Sequence, residues 1–227
     1  MFKSFLWLEE VSSTQQVIRS LPHRSLVVAN RQTSGRGRQG RLWHSQEGGL
    51  YLSFSLPRGI KDEGTLPLVV ASSVADCLES LGFLPAIKWV NDVYLRGKKV
   101  CGVLVEGLKD KILVGIGINL NQEGFPPDLE ATSLRLISGK TYNKVDFLLT
   151  LLDFLSAGLD KLERLGFQSF KDSIENRLLF KDAEVILYIP EPRVGILQGI
   201  GEDGSLLLMT QEGLKRFQVG DITLRPL

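Results

Sequence analysis

The segment Ala86–Asn121, AIKWVNDVYLRGKKVCGVLVEGLKDKILVGIGINLN, decides the fold of this chain. Apolar residues gather in short runs at Ala86–Trp89, Lys99–Glu106 and Lys111–Asn119, the length and composition of strands rather than helices. Gly97 and the Lys109–Asp110 pair fall between runs, where hairpin turns need residues that accept tight backbone. The centre of the chain therefore reads as a sheet built of consecutive hairpins.

Upstream, residues 65–82 (TLPLVVASSVADCLESLG) space their apolar side chains as a helix does and stop at Gly82, which predicts a core helix beside that sheet. Leu50–Leu56 alternates Leu50, Leu52 and Phe54 with Tyr51, Ser53 and Ser55, a strand pattern, and Leu26–Ala29 reads as another strand. Phe2–Leu8 is the expected first strand. Ser12, Ser13 and Thr14 then offer N-cap chemistry to a short helix carrying Val17, Ile18 and Leu21 and ending before Pro22.

Downstream, residues 121–131 read as a loop and residues 145–165 as the longest amphipathic helix, with Lys161 and Arg164 favourably placed near its C-terminal dipole. A second helical stretch is expected near Phe170–Leu178. From Lys181 on, AEVILYI, RVGILQGI, SLLLMT, LKRFQVG and DITLRPL alternate between Gly, Pro and Asp-Gly turns, which predicts a small β-barrel of the SH3 kind. The expected organisation is α+β: a mixed sheet flanked by helices over residues 1–179, followed by a C-terminal SH3-like barrel over 180–227. No internal repeat or low-complexity segment interrupts it.

Composition narrows the class. Of 227 residues, 43% are hydrophobic and 23% charged, as in folded globular proteins and unlike disordered chains. With 27 Lys and Arg against 26 Asp and Glu, the net charge of +1 gives no global pull toward nucleic acid or anionic lipid. Cys77 and Cys101 lie among apolar neighbours and are too few for a disulfide scaffold or a Cys-rich zinc site. Glu9 and Glu10 cut short the N-terminal apolar stretch, which therefore fails as a signal peptide, and no run reaches the roughly 20 apolar residues of a membrane-spanning helix. A cytoplasmic protein with no membrane association is expected.

Three clusters depart from what a sheet needs. Residues 31–45, RQTSGRGRQGRLWHS, place Arg31, Arg36, Arg38 and Arg41 beside Gly35, Gly37 and Gly40 in one inter-strand loop. Guanidinium groups pair with phosphate or carboxylate and glycines permit close backbone approach, so the loop suits an anion; a mobile basic loop or a nucleic-acid patch fits the same residues. The second cluster loads a hairpin with Lys88, Asn91, Asp92, Lys98, Lys99 and Gly102. Lys88 and Lys99 each precede an apolar run, which suits surface lysines poorly and phosphate neutralisation better. In the third, VGIGINLN, Gly115 and Gly117 thin one face of a strand that ends on Asn119 and Asn121, leaving room for a ligand or simply closing a strand with a turn.

In this order and spacing the three clusters closely resemble the biotin–protein ligase family. GRGRQGRLW is similar to its glycine-arginine adenylate loop. IKWVND followed by KKVCGVLVE resembles its Lys-Trp-Pro-Asn-Asp segment and downstream Lys-x-x-Gly element, and VGIGINLN resembles its Gly-x-Gly-Ile-Asn-x-Asn strand. The resemblance runs from about the first strand through the C-terminal barrel, and implies a catalytic domain of the kind shared with lipoate ligases and class II aminoacyl-tRNA synthetases.

It also implies roles. Ser13, Thr14 and Gln15 match the Ser-Thr-Asn element that meets the ureido ring of biotin, with Gln15 in place of the usual Asn. Gln32 matches a biotin-contacting glutamine, and Arg36, Gly37 and Arg38 the loop that folds over biotin and adenylate. Lys99 corresponds to the lysine at the biotin carboxylate and α-phosphate, with Gly102 beside it on the biotin side. Asp92 corresponds to an aspartate near the acceptor amine. Lys88, Asn91, Asn119 and Trp43 would complete the adenylate cavity, Trp43 as a wall. Val90 stands where the family usually has proline, without expected loss of function, and His23 and His44 are expected in exposed turns or loops with no catalytic role.

The implied reaction activates biotin with ATP, magnesium arriving on the triphosphate rather than on direct protein ligands, and transfers biotin to a lysine of a biotin carboxyl carrier protein domain, that of acetyl-CoA carboxylase being the acceptor the resemblance implies. Family members often form homodimers by pairing sheets edge to edge. The competing readings are a lipoate–protein ligase, a non-catalytic biotin-binding protein, and a transcriptional regulator with an N-terminal helix-turn-helix domain. The last is disfavoured because the catalytic pattern begins almost at Met1, and no nucleic-acid partner is expected.

Overall fold

The computed structural model describes residues 2–188, 191–218 and 223–226. Seven strands form the first sheet: β1 (Ser4–Val11), β2 (Ser25–Gln32), β3 (Leu50–Pro57), β4 (Pro85–Lys88), β5 (Asp92–Leu95), β6 (Lys98–Gly107) and β7 (Lys111–Ile118). Their order is β1-β2-β3-β7-β6-β5-β4, with β1 parallel to β2 and every other pair antiparallel. The sheet is thus mixed, as expected. The β5–β6 hairpin turns at Arg96–Gly97, both with positive φ.

Period-two alternation assigns the faces. On β3, Leu50, Leu52, Phe54 and Leu56 join the main core, together with Val114, Ile116 and Ile118 of β7. Helices α2 (Leu66–Ser80) and α4 (Lys144–Leu165) cover that face and pack on each other. The opposite face, carrying Tyr51, Ser53 and Ser55, holds the short helix α1 (Thr14–Ser20), seated by Ile18 against Val27 and Leu113. Burial of both faces explains why β3 is buried from Leu50 to Leu56 despite its polar alternation.

Three local departures from the sequence reading have physical causes. β1 runs through Glu9 and Glu10 to Val11, because its parallel partner β2 continues to Gln32 and the edge position leaves carboxylates solvated. Ser13 is the N-cap residue of α1 but makes no side-chain cap bond; its backbone carbonyl accepts from Gln16 and Val17 instead. The expected helical stretch near Phe170–Leu178 divides into a 3-10 turn (Phe167–Phe170) and α5 (Lys171–Glu175). One further helix, α3 (Leu134–Ser138), is capped by the Ser133 hydroxyl, which accepts from Leu136 N–H at 3.1 Å.

The C-terminal strands β8 (Glu184–Tyr188), β9 (Pro192–Ile200), β10 (Leu206–Thr210), β11 (Gly213–Phe217) and β12 (Thr223–Pro226) form an antiparallel sheet in the order β11-β10-β9-β8-β12, consistent with an SH3-like domain. Met1, Ile189, Pro190, Val219–Ile222 and Leu227, which fall in or beside expected elements, lie outside the described residues. Both cysteines are buried free thiols. Among the described residues no helix is long and apolar enough to cross a membrane.

Candidate active site

On the α1 face, strands β3, β7 and β6 lie side by side with Ser53 opposite Gly115, Tyr51 opposite Gly117, and Gly102 opposite Gly117. The absent side chains of Gly102, Gly115 and Gly117 leave a floor instead of a core layer. The Trp43 indole lies on it: a Cβ on Gly117 would collide with the indole nitrogen, and one on Gly102 with the six-membered ring. Over this floor opens a cavity of about 270 Å³.

The loop after β2 forms its roof. Trp43 N–H donates to Gly35 O at 2.9 Å and Gly37 N–H to Arg41 O at 2.8 Å, so residues 35–43 make a small hairpin. Its tip, Gln39–Gly40, has left-handed φ at both residues, which Gly40 accommodates without cost. Arg38 Nη1 donates to Asn91 Oδ1 at 3.1 Å, tying the roof to the β4–β5 turn, and Asn91 Nδ2 donates to Val103 O at 2.7 Å. The Trp89–Val90 peptide bond in that turn is cis.

The cavity has a cationic wall. Lys99 Nζ lies 2.7 Å from Asp92 Oδ1 and 5.0 Å from the Trp43 ring centroid. Its backbone is clamped by the segment 130–132: Lys99 N–H donates to Glu130 O at 3.0 Å, and its carbonyl accepts from Thr132 N–H at 2.9 Å. Lys88 sits between the rings of Tyr94 and Phe180, at 5.6 and 5.9 Å. Burial pulls its pKa below the ordinary lysine value, against the attraction of Asp92. Asn119 donates from Nδ2 to Lys99 O at 3.4 Å and accepts at Oδ1 from Gln122 at 3.2 Å.

The other end is uncharged and polar. Thr14 N–H donates to Gln32 Oε1 at 2.8 Å, and Gln32 Nε2 donates to Ser45 Oγ at 2.8 Å. Thr14 Oγ1 stands 2.9 Å from Ser53 Oγ, and the Ser53 hydroxyl donates to Gln15 Oε1 at 2.9 Å. A ligand spanning the cavity therefore meets hydrogen-bonding amides and hydroxyls at one end and two ammonium groups at the other.

Each residue to which the family resemblance gave a role lines this space, whereas Arg31, Lys98 and Asn121 of the three clusters do not: Arg31 pairs with Glu10 and Asn121 is tied to the Tyr142 backbone. Ser13, Thr14 and Gln15 come from the start of α1, Gln32 from the end of β2, and Arg36, Gly37, Arg38 and Trp43 from the roof. Lys88 ends β4, Asn91 lies in the following turn, Asp92 begins β5, Lys99 and Gly102 are on β6, and Asn119 directly follows β7. The sequence reading did not single out Ser53, Phe125, Leu129 and Glu130, which also line it. The polar alternation of β3 carried a signal for Ser53; a loop read only by composition carried none for the others.

Comparison with known proteins agrees along the chain. The family model described as "Biotin/lipoate A/B protein ligase family" matches residues 7–123. "Bifunctional ligase/repressor BirA" of Bacillus spizizenii is 34% identical over 99% of this chain and 75% of its own length. "Biotin--[acetyl-CoA-carboxylase] ligase" of Mycobacterium tuberculosis is 29% identical over 81% of this chain and 72% of its own. Among solved structures, biotin protein ligase from Aquifex aeolicus in complex with biotin and ATP superposes with a TM-score of 0.92 at 42% identity, covering 100% of both chains.

Proposed function

This chain belongs to the biotin/lipoate A/B protein ligase family, and from that premise we infer the reaction its cavity carries out: ATP-dependent activation of biotin and transfer of the biotinyl group to a lysine of a carboxylase. It is a ligase acting in protein biotinylation. In the first step a biotin carboxylate oxygen attacks the α-phosphorus of ATP, the bond to the β-phosphate oxygen breaks, and biotinyl-5′-AMP and pyrophosphate form. In the second, the ε-amine of the carrier lysine attacks the acyl carbon of that mixed anhydride, AMP leaves, and the amine gives up a proton.

One observation carries the assignment of residues: the juxtaposition of Lys99 and Asp92, 2.7 Å apart, over the glycine floor that seats Trp43. Lys99 is proposed to neutralise the charge that gathers on the carboxylate and α-phosphate as they join, with Arg36, which lines the same cavity from the roof, as a second cation. Asp92 holds the Lys99 ammonium in place and is the base within reach for the acceptor amine's proton. The Trp43 Nε1–H is buried without a hydrogen-bond partner among the described residues, a donor for an oxygen of the adenylate. Lys88, Arg38, Asn91 and Asn119 surround the nucleotide part. Ser13, Thr14, Gln15, Gln32, Gly37 and Gly102 surround biotin, whose ureido ring has the N–H groups and carbonyl that such an uncharged polar end selects; a lipoyl dithiolane has neither.

ATP is taken to enter as its magnesium complex. The ion's ligands are assigned to phosphate oxygens, as the family resemblance implies. The reading further places the protein in the cytoplasm, with the carrier domain of acetyl-CoA carboxylase as acceptor, and divides the chain near residue 180 into catalytic and C-terminal domains. For the homodimer, β1 is the available edge, with Phe5 and Leu6 exposed, whereas β4 is covered by the Arg177–Leu179 backbone.

The test is direct. Purified protein is incubated with ATP, magnesium, an apo biotin-carrier domain, and biotin or lipoate, and the carrier's mass is followed. A mass gain with biotin alone is expected. Lipoyl transfer would keep the adenylate chemistry and overturn the substrate, and no transfer of either by folded protein would overturn the enzyme assignment.

A further inference from the structure

Glu106, at the far end of β6, has no role in the chemistry above, yet it terminates the hydrogen-bond chain that begins inside the cavity. Its Oε2 accepts from Gln15 Nε2 at 2.9 Å and its Oε1 from Arg19 Nη2 at 3.2 Å. A carboxylate beside an arginine has no proton to give, so the Gln15 amide must turn its NH2 toward Glu106. Gln15 Oε1 then faces Ser53, and Ser53 must donate to it. With Ser53's single proton committed there, the proton of Thr14 is left to lie on Ser53 Oγ, at 2.9 Å, or on Gln32 Oε1, at 3.1 Å. In either case Thr14 turns lone pairs, not a proton, to the cavity.

We propose that Glu106 is a positioning residue for the ligand: acting through Gln15 and Ser53, it holds Thr14 as a hydrogen-bond acceptor matched to a ureido N–H of biotin. The proposal rests on the biotin reading of the site. The chain is directional only because its terminus can solely accept. In Glu106→Gln one oxygen serves two donors, and Arg19, which can only donate, takes it. The new amide NH2 then faces Gln15, whose own amide turns over and donates to Ser53. Ser53 in turn donates to Thr14, which displaces the Thr14 proton from the Ser53 side and leaves it to point at Gln32 or into the cavity, where it opposes a ureido N–H. The length of the residue, the floor and the lysines are unchanged.

The experiment is steady-state biotin-dependent ATP–pyrophosphate exchange with wild-type and Glu106→Gln protein. A KM for biotin raised roughly tenfold is expected, the effect of one impaired hydrogen bond, with kcat and the KM for ATP within about twofold. Glu106→Asp, which keeps the carboxylate, recovers most of the loss. An unchanged biotin KM, or a parallel fall in kcat and both KM-derived efficiencies as from loosened packing of α1, overturns the proposal. Calorimetry on the wild-type protein tests it without a variant, using two biotin analogues that each replace one ring N–H by oxygen. At least one should bind roughly tenfold or more weakly than biotin, and equal binding of both overturns the proposal. Failure of wild-type protein to bind biotin sinks the biotin reading itself and is visible separately.

Discussion

At the scale of single residues, Lys99 is placed with more care than a surface lysine needs. Its backbone is bonded on both sides by residues 130 and 132, and its ammonium is paired with Asp92 and lies over the Trp43 ring. Such fixation lets a charge act on a transition state without reorganising first. Lys99→Ala is expected to lower biotin-dependent pyrophosphate exchange by about 10²–10³-fold, the scale seen when one preorganised charge stabiliser is removed; an unchanged rate would remove Lys99 from the chemistry. Lys88 yields a pH prediction. Because burial lowers its pKa below 10.5, its ammonium is lost earlier than a free lysine's as pH rises, and nucleotide affinity should fall on the alkaline side. Lys88→Arg keeps its proton throughout, so its profile of kcat/KM for ATP should extend to higher pH; coincident alkaline limbs in the two proteins would rule out Lys88 as their origin. Residues whose chemistry is unusual for a strand, such as Lys99 and Asp92, were legible in the sequence. Ser53 was signalled only as one polar position in an alternating strand, and Glu130 not at all, since it meets the cavity only through the path of a loop.

At the scale of elements, β6 and β7 matter through what they omit. Gly102 and Gly117 face each other across the pair and let the indole of Trp43 lie directly on the backbone. Gly117→Ala puts a methyl group into that ring. Overpacking of this kind costs about 1–3 kcal/mol, and here the cost is relieved by expelling Trp43 from the floor. The expected result is a red-shifted tryptophan emission and a weakened apparent affinity for ATP and biotin, checked by fluorescence and exchange kinetics; wild-type emission and kinetics would mean that Trp43 does not rest there in solution. The strands and long helices were readable because their periodicities are strong. α3 was not, since five residues capped by one serine are too few to show a period. The far end of β1 was misjudged because hydropathy stops at Glu9, whereas the partner strand β2 continues to offer hydrogen bonds.

At the scale of the whole molecule, the two sheets share their burial. Val185, Leu187, Leu197, Ile200, Leu206 and Leu208 of the C-terminal sheet belong to the same continuous core as Leu66, Leu68 and Trp89. Polar ties cross the same boundary: Trp89 Nε1 donates to Gly204 O at 3.0 Å, and Ile200 N–H donates to Glu175 Oε1 at 3.0 Å. The first of these ties reaches the β4–β5 turn that presents Asn91 and Asp92, so the C-terminal sheet buttresses one wall of the cavity. Two lobes joined by a flexible linker would each own a core, and independent motion would be the default. A shared core instead makes the unfolding of one expose apolar surface of the other, which couples them. The intact chain is therefore expected to unfold in a single calorimetric transition, and saturating biotin and ATP, proposed to bind over the first sheet, should raise that transition as a whole. Two resolved transitions, with only the first responding to ligand, would show that the C-terminal sheet folds by itself and that its contact with Trp89 does not steady the site.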